Sequence, residues 1–178
     1  MPTITALLHT ENDALRVGRC LELLYPCDQI VVVDHGSIDA TVGVAREYGA
    51  HVIRAAAGTG YEEYVRMANS AAAGRTGSGD RHSSPDAGWI LCIDPHESLT
   101  ESLAASLYEW KLERRASASS VEAFSVFLRQ ETGAGWVQNP AAQTRLVPPD
   151  WKRWQGRFPV SERSSVTLEG ELLRFVFP

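Results

Sequence analysis

The chain has 178 residues, of which 44% are hydrophobic, so it can bury a sizeable core and is expected to form one compact domain. Its net charge of -5 is spread along the sequence, which argues against a nucleic-acid partner because such binding depends on clustered Lys and Arg. No apolar run approaches the roughly 18 residues that span a bilayer, and the N-terminus does not resemble a signal peptide. The expected location is therefore the cytoplasm.

The three cysteines, Cys20, Cys27 and Cys92, form neither an even set of disulfide partners nor a CxxC pair. Cys92 lies inside an apolar run, where a thiol behaves as a small hydrophobic side chain. The predicted state of these residues is therefore free or buried thiols.

The first half of the sequence alternates strand and helix patterns. Short apolar runs are bounded by turn residues, and between them apolar residues recur at helical spacing. The predicted elements are a strand at residues 4–8, a helix capped by Asn12 and Asp13 and ended by Pro26, a strand at 30–33, a helix from about Asp39 to the C-cap Gly49, and a strand at 51–54. This βαβαβ order predicts a parallel sheet with right-handed crossovers.

The second half of the sequence has a different organisation. Its predicted elements are a helix at 61–73, a Gly- and Ser-rich surface loop at 74–88, a strand at 89–93, a helix capped by Thr100, and later strands at 122–129 and 172–177. The loop contains no apolar periodicity, so we expect it to be mobile. The last third contains no clear helix pattern and is predicted to be an antiparallel appendage.

Two carboxylates follow predicted strands. The apolar run at 89–93 ends in Asp94-Pro95-His96-Glu97, and the run at 30–33 ends in Asp34, before a turn-forming Gly-Ser pair. Open α/β sheets bind ligands at the carboxyl ends of their strands. The sequence therefore predicts one polar site shared by Asp34 and Asp94.

Two segments resemble a known family. Residues 30–41, IVVVDHGSIDAT, with 45–52, AREYGAHV, are similar to the VVVDxGSxDxT segment of family 2 glycosyltransferases. Residues 89–100, WILCIDPHESLT, resemble that family's WxLxxDADExLT segment, which contains its DxD metal motif. The two segments have the family's order and separation, and the similarity covers roughly residues 3–110.

The resemblance implies a GT-A fold, which is a Rossmann-like α/β architecture with a mostly parallel central sheet flanked by helices and, here, a small antiparallel C-terminal portion. It implies one domain over residues 1–178, with a nucleotide-sugar-binding half at 1–97 and an acceptor-side half at 98–178. The implied reaction is the inverting transfer of a sugar from a nucleotide-diphosphate sugar, of the UDP or dTDP type, to an unknown acceptor.

The resemblance also implies site residues and a divalent cation. The positions that match donor contacts are Thr10, Glu11, Asp34, Asn69 and Asp94. The metal positions are Asp94 and His96, which would hold Mn²⁺ or Mg²⁺ against the leaving diphosphate. His96 replaces the second aspartate of DxD, and an imidazole suits Mn²⁺ better than Mg²⁺.

The second half of the sequence departs further from the family. Its WxPDxQxRLF pattern, whose aspartate is the candidate general base, reads PAAQTRL at 140–146, and Ala141 cannot accept a proton. The VHE and LLHY segments read VSE at 160–162 and LLRF at 172–175, so two histidines that could help bind metal are absent. Glu162 and Glu97 remain as candidate catalytic acids or bases, with Glu162 as the candidate base for the acceptor.

Several alternatives remain open. The aspartates could be ordinary strand-end acids, His96 a polar loop residue and Glu97 a surface acid. The lost motif residues also allow a catalytically impaired GT-A protein that acts as a nucleotide- or sugar-binding module or as a partner subunit. A nucleotidyltransferase is disfavoured because residues 9–12, HTEN, contain no glycine and no Lys or Arg to hold phosphates.

Overall fold

The computed structural model describes residues 2–73, 88–114 and 122–177, and within these ranges the chain forms four helices and eleven strands. The helices are α1 (Ala14–Glu22), α2 (Thr41–Glu47), α3 (Tyr61–Ala73) and α4 (Glu101–Arg114). The strands are β1 (Ile4–Thr10), β2 (Gln29–Asp34), β3 (His51–Arg54), β4 (Trp89–Ile93), β5 (Glu97–Leu99), β6 (Phe124–Thr132), β7 (Gly135–Gln138), β8 (Gln143–Val147), β9 (Trp154–Gln155), β10 (Phe158–Pro159) and β11 (Val166–Arg174). The predicted loop at 74–88 lies, except for Gly88, outside the described residues.

The first half of the chain forms the predicted parallel sheet. Its strands lie in the order β3-β2-β1-β4, and every neighbouring pair is parallel. The register pairs Thr10 with Asp34 and Leu8 with Ile93. Asp34 and Asp94 therefore lie at the same carboxyl edge, on either side of β1.

The second half continues the same sheet, in the order β4-β8-β6-β11-β5, with β7 paired to β6. Apart from the parallel pair β6 and β11, these strands pair antiparallel, as predicted for the C-terminal portion. They are nevertheless not an appendage, because β8 pairs directly with β4. Among the described strands, only those of the small hairpin of β9 and β10 stand apart from the main sheet. The predicted boundary between the two halves falls inside β5.

The sheet curls back on itself beside Asp94. A turn, closed by the Glu97 N–H donating to the Asp94 carbonyl oxygen at 2.9 Å, joins β4 directly to β5. Nevertheless β8, β6 and β11 lie between β4 and β5 in the sheet. The strands from β4 to β5 therefore bend into an open curl, and the turn after β4 joins its two ends.

The core lies on both faces of the sheet, because alternate residues of each strand point to opposite sides. On one face, Leu8 packs with the buried sides of α1, α2 and α4. On the other face, Leu7 packs with Tyr64, Val65 and Ala68 of α3. The two layers of helices complete the predicted α/β architecture.

The ends of the helices match most of the predictions. Helix α3 has the predicted bounds, Gly49 follows α2 with the expected positive φ of 77°, and the Thr100 hydroxyl accepts the Leu103 N–H at 3.2 Å in the first turn of α4. Asp13 precedes α1 but makes no side-chain capping bond there. The three cysteines are free, as predicted. No helix in the described ranges is long and apolar enough to cross a membrane.

Candidate functional site

Asp94 lies at the centre of the candidate site. Its side chain is 0% exposed although it follows the end of a strand. Its backbone N–H donates to Oε2 of Glu97 at 3.0 Å. Together with the bond from the Glu97 N–H to the Asp94 carbonyl oxygen, this bond closes the turn after β4. The local sequence therefore fixes the Asp94 carboxylate in one place before any ligand binds.

Both carboxylate oxygens of Asp94 are paired. Oδ1 accepts hydrogen bonds from the backbone N–H of His96 at 3.0 Å and from its Nδ1 at 2.8 Å. Oδ2 accepts from Nη2 of Arg157 at 2.7 Å, and Nη2 of Arg174 lies 3.7 Å from the same oxygen. Burial raises the pKa of Asp94, but the hydrogen bonds from His96 and the two guanidinium charges outweigh it and hold that pKa below its ordinary value. Asp94 is thus an ionised carboxylate.

Glu97 forms a buried ion pair with Arg145 on β8. Nη2 of Arg145 lies 2.9 Å from Oε1 of Glu97, and Nη1 lies 3.1 Å from Oε2. Arg145 also donates to Gln143 and to the Cys92 carbonyl oxygen, and its guanidinium stacks 4.1 Å from the Phe158 ring centre. The sequence predicts Glu97 as a catalytic acid or base, but in the structure both of its carboxylate oxygens are hydrogen-bonded to Arg145.

The loop after β2 is organised by Asp34. Its two carboxylate oxygens accept the backbone N–H groups of Ser37 at 3.1 Å and Gly36 at 3.3 Å, and its side chain is buried except for a small fraction. Gly36 has a φ of 98°, a conformation that favours glycine. Asp34 thus shapes the loop and presents its remaining lone pairs to the carboxyl edge.

The loop after β1 is fastened to the loop after β2. The Thr10 hydroxyl and the Glu11 N–H both donate to Oδ2 of Asp13, at 2.8 and 3.1 Å, and Glu11 is exposed. Asn12 accepts the Ile38 N–H at 2.9 Å. Thr10 and Glu11 therefore lie beside Asp34, as the parallel register requires.

An aromatic cluster borders these loops. Nδ1 of His9 lies 3.0 Å from Nε2 of His35, and the Tyr61 and Tyr64 rings contact His9 edge-on, with centroids 5.0 and 5.6 Å away. Burial, together with the neighbouring His35 and Arg157, lowers the pKa of His9 from 6.5 to about 3. His9 is therefore neutral at physiological pH.

Asn69 does not reach this edge, contrary to the implied donor contact. Helix α3 begins at the carboxyl edge, where Tyr61 meets His9, and runs back towards the amino edge of the sheet. A Cβ built on Gly88 would lie 3.4 Å from Oδ1 of Asn69 and 3.2 Å from Thr3, and both Gly88 and Thr3 precede their strands. The helical rise separates Asn69 from Tyr61 by about 12 Å. Asn69 is therefore absent from the site proposed below.

Glu162, the predicted base, lies near the carboxyl edge on the far side of β8. Its backbone N–H donates to Oγ1 of Thr144 at 2.9 Å, and Thr144 lies next to Gln143 at the start of β8. The side chain is 15% exposed and is paired with the more exposed Arg153. Glu162 is thus tied to the start of β8 by its backbone, with its carboxylate partly open to solvent.

The partners of Asp94 and His96 decide whether a divalent cation fits between them. Asp94 directs its oxygens to His96 and Arg157, and His96 uses Nδ1 on Asp94 while its Nε2 lies 3.9 Å from Oδ1 of Asp13. A cation at Oδ2 would displace one guanidinium and adjoin another. Two unit charges 4 Å apart interact by about 4 kcal/mol near a protein surface, and a divalent ion doubles that repulsion. In the described part of the chain, no group of three or more His, Cys, Asp or Glu is arranged to hold a metal ion. The residues present do not fit a resident divalent cation.

Sequence reasoning missed the three arginines that meet at this turn, Arg145, Arg157 and Arg174. Arg145 fell within a matching motif, and Arg174 replaced the histidine of LLHY, so the change of charge there was a usable signal. Nothing in the local sequence marked Arg157. A cavity of about 560 Å³ is lined by residues that include Gly58, Tyr61, Trp154 and Gly156, the last of which precedes Arg157 in the sequence.

Comparison with known protein families assigns the chain to one of them. The family model described as glycosyl transferase family 2 matches residues 7–146, which include both strand-end aspartates and the turn after β4. The chain belongs to glycosyl transferase family 2. A comparison with curated proteins gave no match. Membership confirms the resemblance found in the sequence and, with it, the GT-A fold class.

Solved structures show a more distant likeness. A mycobacterial protein is 19% identical, with a TM-score of 0.48, over 74% of this chain and 42% of its own. Glucosyl-3-phosphoglycerate synthase from Mycobacterium tuberculosis, solved with Mn²⁺, UDP and its product, is 20% identical, with a TM-score of 0.47, over 72% of this chain and 44% of its own. TarS from S. aureus is 15% identical, with a TM-score of 0.42, over 73% of this chain and 21% of its own. The chain thus spans less than half the length of these proteins.

Proposed function

We propose that the protein binds a nucleotide-diphosphate sugar, of the UDP or dTDP type, at the carboxyl edge of the sheet and transfers the sugar to an acceptor. The observation that carries this proposal is that Asp34 and Asp94 end two strands on either side of β1, at one edge, in a family 2 glycosyltransferase chain. Ligands of open α/β sheets bind at that edge. The predicted cytoplasmic location stays a prediction.

The nucleoside end of the donor is assigned to the loops after β1 and β2. Asp34 has lone pairs left after its two backbone bonds and accepts an N–H or a hydroxyl of the nucleoside. Thr10 and the exposed Glu11 lie beside it. The His9, Tyr61 and Tyr64 rings form one wall of this region, and a neutral His9 places no extra charge there.

The proposed reaction is an inverting single displacement. The acceptor hydroxyl oxygen forms a bond to the anomeric carbon, the bond between that carbon and the diphosphate oxygen breaks, and the bonding pair leaves with the nucleoside diphosphate. The acceptor proton passes to Glu162, the partly exposed carboxylate beside β8. Glu97 acts as a positioning residue, because it fixes Asp94 through the buried Arg145 pair.

A catalytically impaired binding module is the second candidate function. Ala141 replaces the family's candidate base, and the carboxylate of Glu162 is already engaged in an ion pair with Arg153. The two candidates share the donor site and differ in turnover. Release of a free nucleoside diphosphate in the presence of acceptors would separate them.

The first experiment is isothermal titration of UDP, dTDP and GDP, with and without Mn²⁺. Asp34→Ala is expected to weaken nucleoside diphosphate binding about tenfold or more and to leave inorganic pyrophosphate binding unchanged, because Asp34 faces only the nucleoside end. Asp150→Ala, on an exposed loop, is the matched control. Absence of nucleotide binding under every condition would contradict the proposed function.

A further inference from the structure

We propose that Arg157 and Arg174 bind the diphosphate of the donor in place of a divalent cation, so that this chain recognises its nucleotide without metal. The inference rests on the proposed function, since it concerns the diphosphate end of the same site. It follows from the disagreement between the implied metal and the residues that surround Asp94.

Arg157 is placed for this role by the hairpin of β9 and β10. It follows Gly156, whose φ of 59° makes the tight turn between the two strands. Its Nη2 donates to Oδ2 of Asp94 at 2.7 Å and its Nη1 to the His9 carbonyl oxygen at 3.4 Å. The side chain is 39% exposed, so the guanidinium is oriented by Asp94 and still open to a ligand.

Arg174 approaches the same carboxylate from the opposite side of the curl. It ends β11, where the register pairs it with Glu97 of β5. The next residue, Phe175, donates its N–H to the His96 carbonyl oxygen at 2.8 Å, which fixes the strand end against the turn after β4. Its guanidinium lies 3.7 Å from Oδ2 of Asp94 and the side chain is 35% exposed.

The net charge around Asp94 supports the proposal that two arginines take the place of a divalent cation. One carboxylate with two guanidinium groups has the same net charge of about +1 as one carboxylate with a divalent ion. Guanidinium groups bind phosphate oxygens through paired N–H donors, and they keep their charge at all physiological pH values. The pair can therefore neutralise the charge that develops on the leaving diphosphate without a metal.

The metal positions of the family have changed in the same direction. His96, in place of the second aspartate, spends Nδ1 on Asp94, and Arg174 stands where the LLHY pattern has a histidine. The first change leaves an imidazole whose Nδ1 is already bonded to Asp94, and the second removes a cation ligand and adds a fixed positive charge at the same carboxylate. At this site, a positively charged side chain of the protein thus stands in place of residues that would bind a metal cation.

The test is isothermal titration of inorganic pyrophosphate and UDP in buffer containing EDTA. The unmodified protein is expected to bind both, and excess Mn²⁺ is expected to change either affinity less than about twofold. Arg174→Gln and Arg157→Gln are each expected to weaken both ligands about tenfold or more. Arg46→Gln, on the exposed last turn of α2 at the opposite edge, is the matched control and is expected to have no effect.

Two outcomes would overturn the inference. Nucleotide binding that appears only with Mn²⁺ would leave the proposed function intact and contradict the metal-free site. Equal binding by the two arginine variants and Arg46→Gln would show that the guanidinium groups do not contact the diphosphate. Because Arg157→Gln removes a partner of Asp94, Arg157→Lys, which keeps the charge, and the circular dichroism spectrum of each variant separate lost binding from lost structure.

Discussion

The guanidinium of Arg145 and the carboxylate of Glu97 are joined by two hydrogen bonds, 2.9 and 3.1 Å long, in a pair whose side chains are 3% and 0% exposed. The same glutamate accepts the backbone N–H of Asp94. A buried pair in the interior of the curl therefore sets the position of the carboxylate on which the site is centred.

Glu97→Gln and Arg145→Met are each expected to lower the free energy of unfolding by about 3–5 kcal/mol, because each leaves one buried charge unpaired. The double variant Glu97→Gln with Arg145→Met is expected to cost less than the sum of these two single changes, because it leaves neither charge unpaired. Urea unfolding measures both. Full stability of Glu97→Gln combined with a large loss of turnover would instead favour the predicted catalytic role of Glu97.

Glu162→Gln is expected to reduce kcat by at least about 100-fold while nucleoside diphosphate affinity changes little, because a general base acts on the acceptor. The measurement is sugar transfer under saturating donor, together with titration of the nucleotide. Glu169→Gln, an exposed change on β11, is the control. Equal kcat values for the two variants would remove Glu162 from the mechanism and favour the binding-module alternative.

Gly170→Ala is expected to destabilise the protein by more than about 2 kcal/mol, since overpacking and strain add there. The glycine has a φ of 92°, and an added Cβ would lie 2.7 Å from Cα of Leu103 in α4 and closer still to its N. Gly43→Ala in α2 is the matched control, because beyond its chain neighbours and the backbone of its own helix no heavy atom of the described residues lies within 4 Å of an added Cβ. The control is expected to gain about 0.5–1 kcal/mol. Equal melting temperatures would contradict the close contact between β11 and α4.

Stability is expected to fall on acidification because of His9. Its folded pKa of about 3 is below the ordinary value of 6.5, so between these pH values the unfolded chain binds a proton that the folded chain does not. Each pH unit in that window then costs up to about 1.4 kcal/mol, and the cost is absent above pH 6.5. Urea unfolding as a function of pH is expected to have a smaller slope in His9→Gln than in His51→Gln, a change at an exposed histidine. Parallel curves would show that His9 titrates alike in both states.

Sequence patterns predicted the half of the fold built from consecutive elements. Strands and helices alternate from β1 to β4, so apolar spacing located them, and a shared carboxyl edge followed from the parallel order. Asp34 and Asp94 could be brought together for that reason alone. The bounds of α3 were predictable because its apolar face and its preceding glycine are local features.

The remainder depended on pairing between distant segments. Arg157 meets Asp94 across 63 residues and Arg145 meets Glu97 across 48, through a sheet order that no local pattern specifies. The three-residue β5 pairs with β11 and not with β4, its neighbour in sequence. Asn69 was assigned to the donor site because the resemblance matches residue types along α3. It does not give the direction in which α3 runs across the sheet.

The pairing of β5 with β11 has a consequence for the order in which the site is assembled during synthesis. Thr100 and Glu171, which bond to each other beside this pair, are 71 residues apart, so a nascent chain that has completed the βαβ half still lacks the partner of β5. At that stage Asp94 has neither Arg157 nor Arg174 beside it. The carboxyl edge acquires Arg157 with the hairpin of β9 and β10 and acquires Arg174 only when β11 docks. A ribosome-bound intermediate stalled before residue 157 is therefore expected to have no affinity for pyrophosphate, and one that has Arg157 but lacks β11 is expected to bind it more weakly than the whole chain.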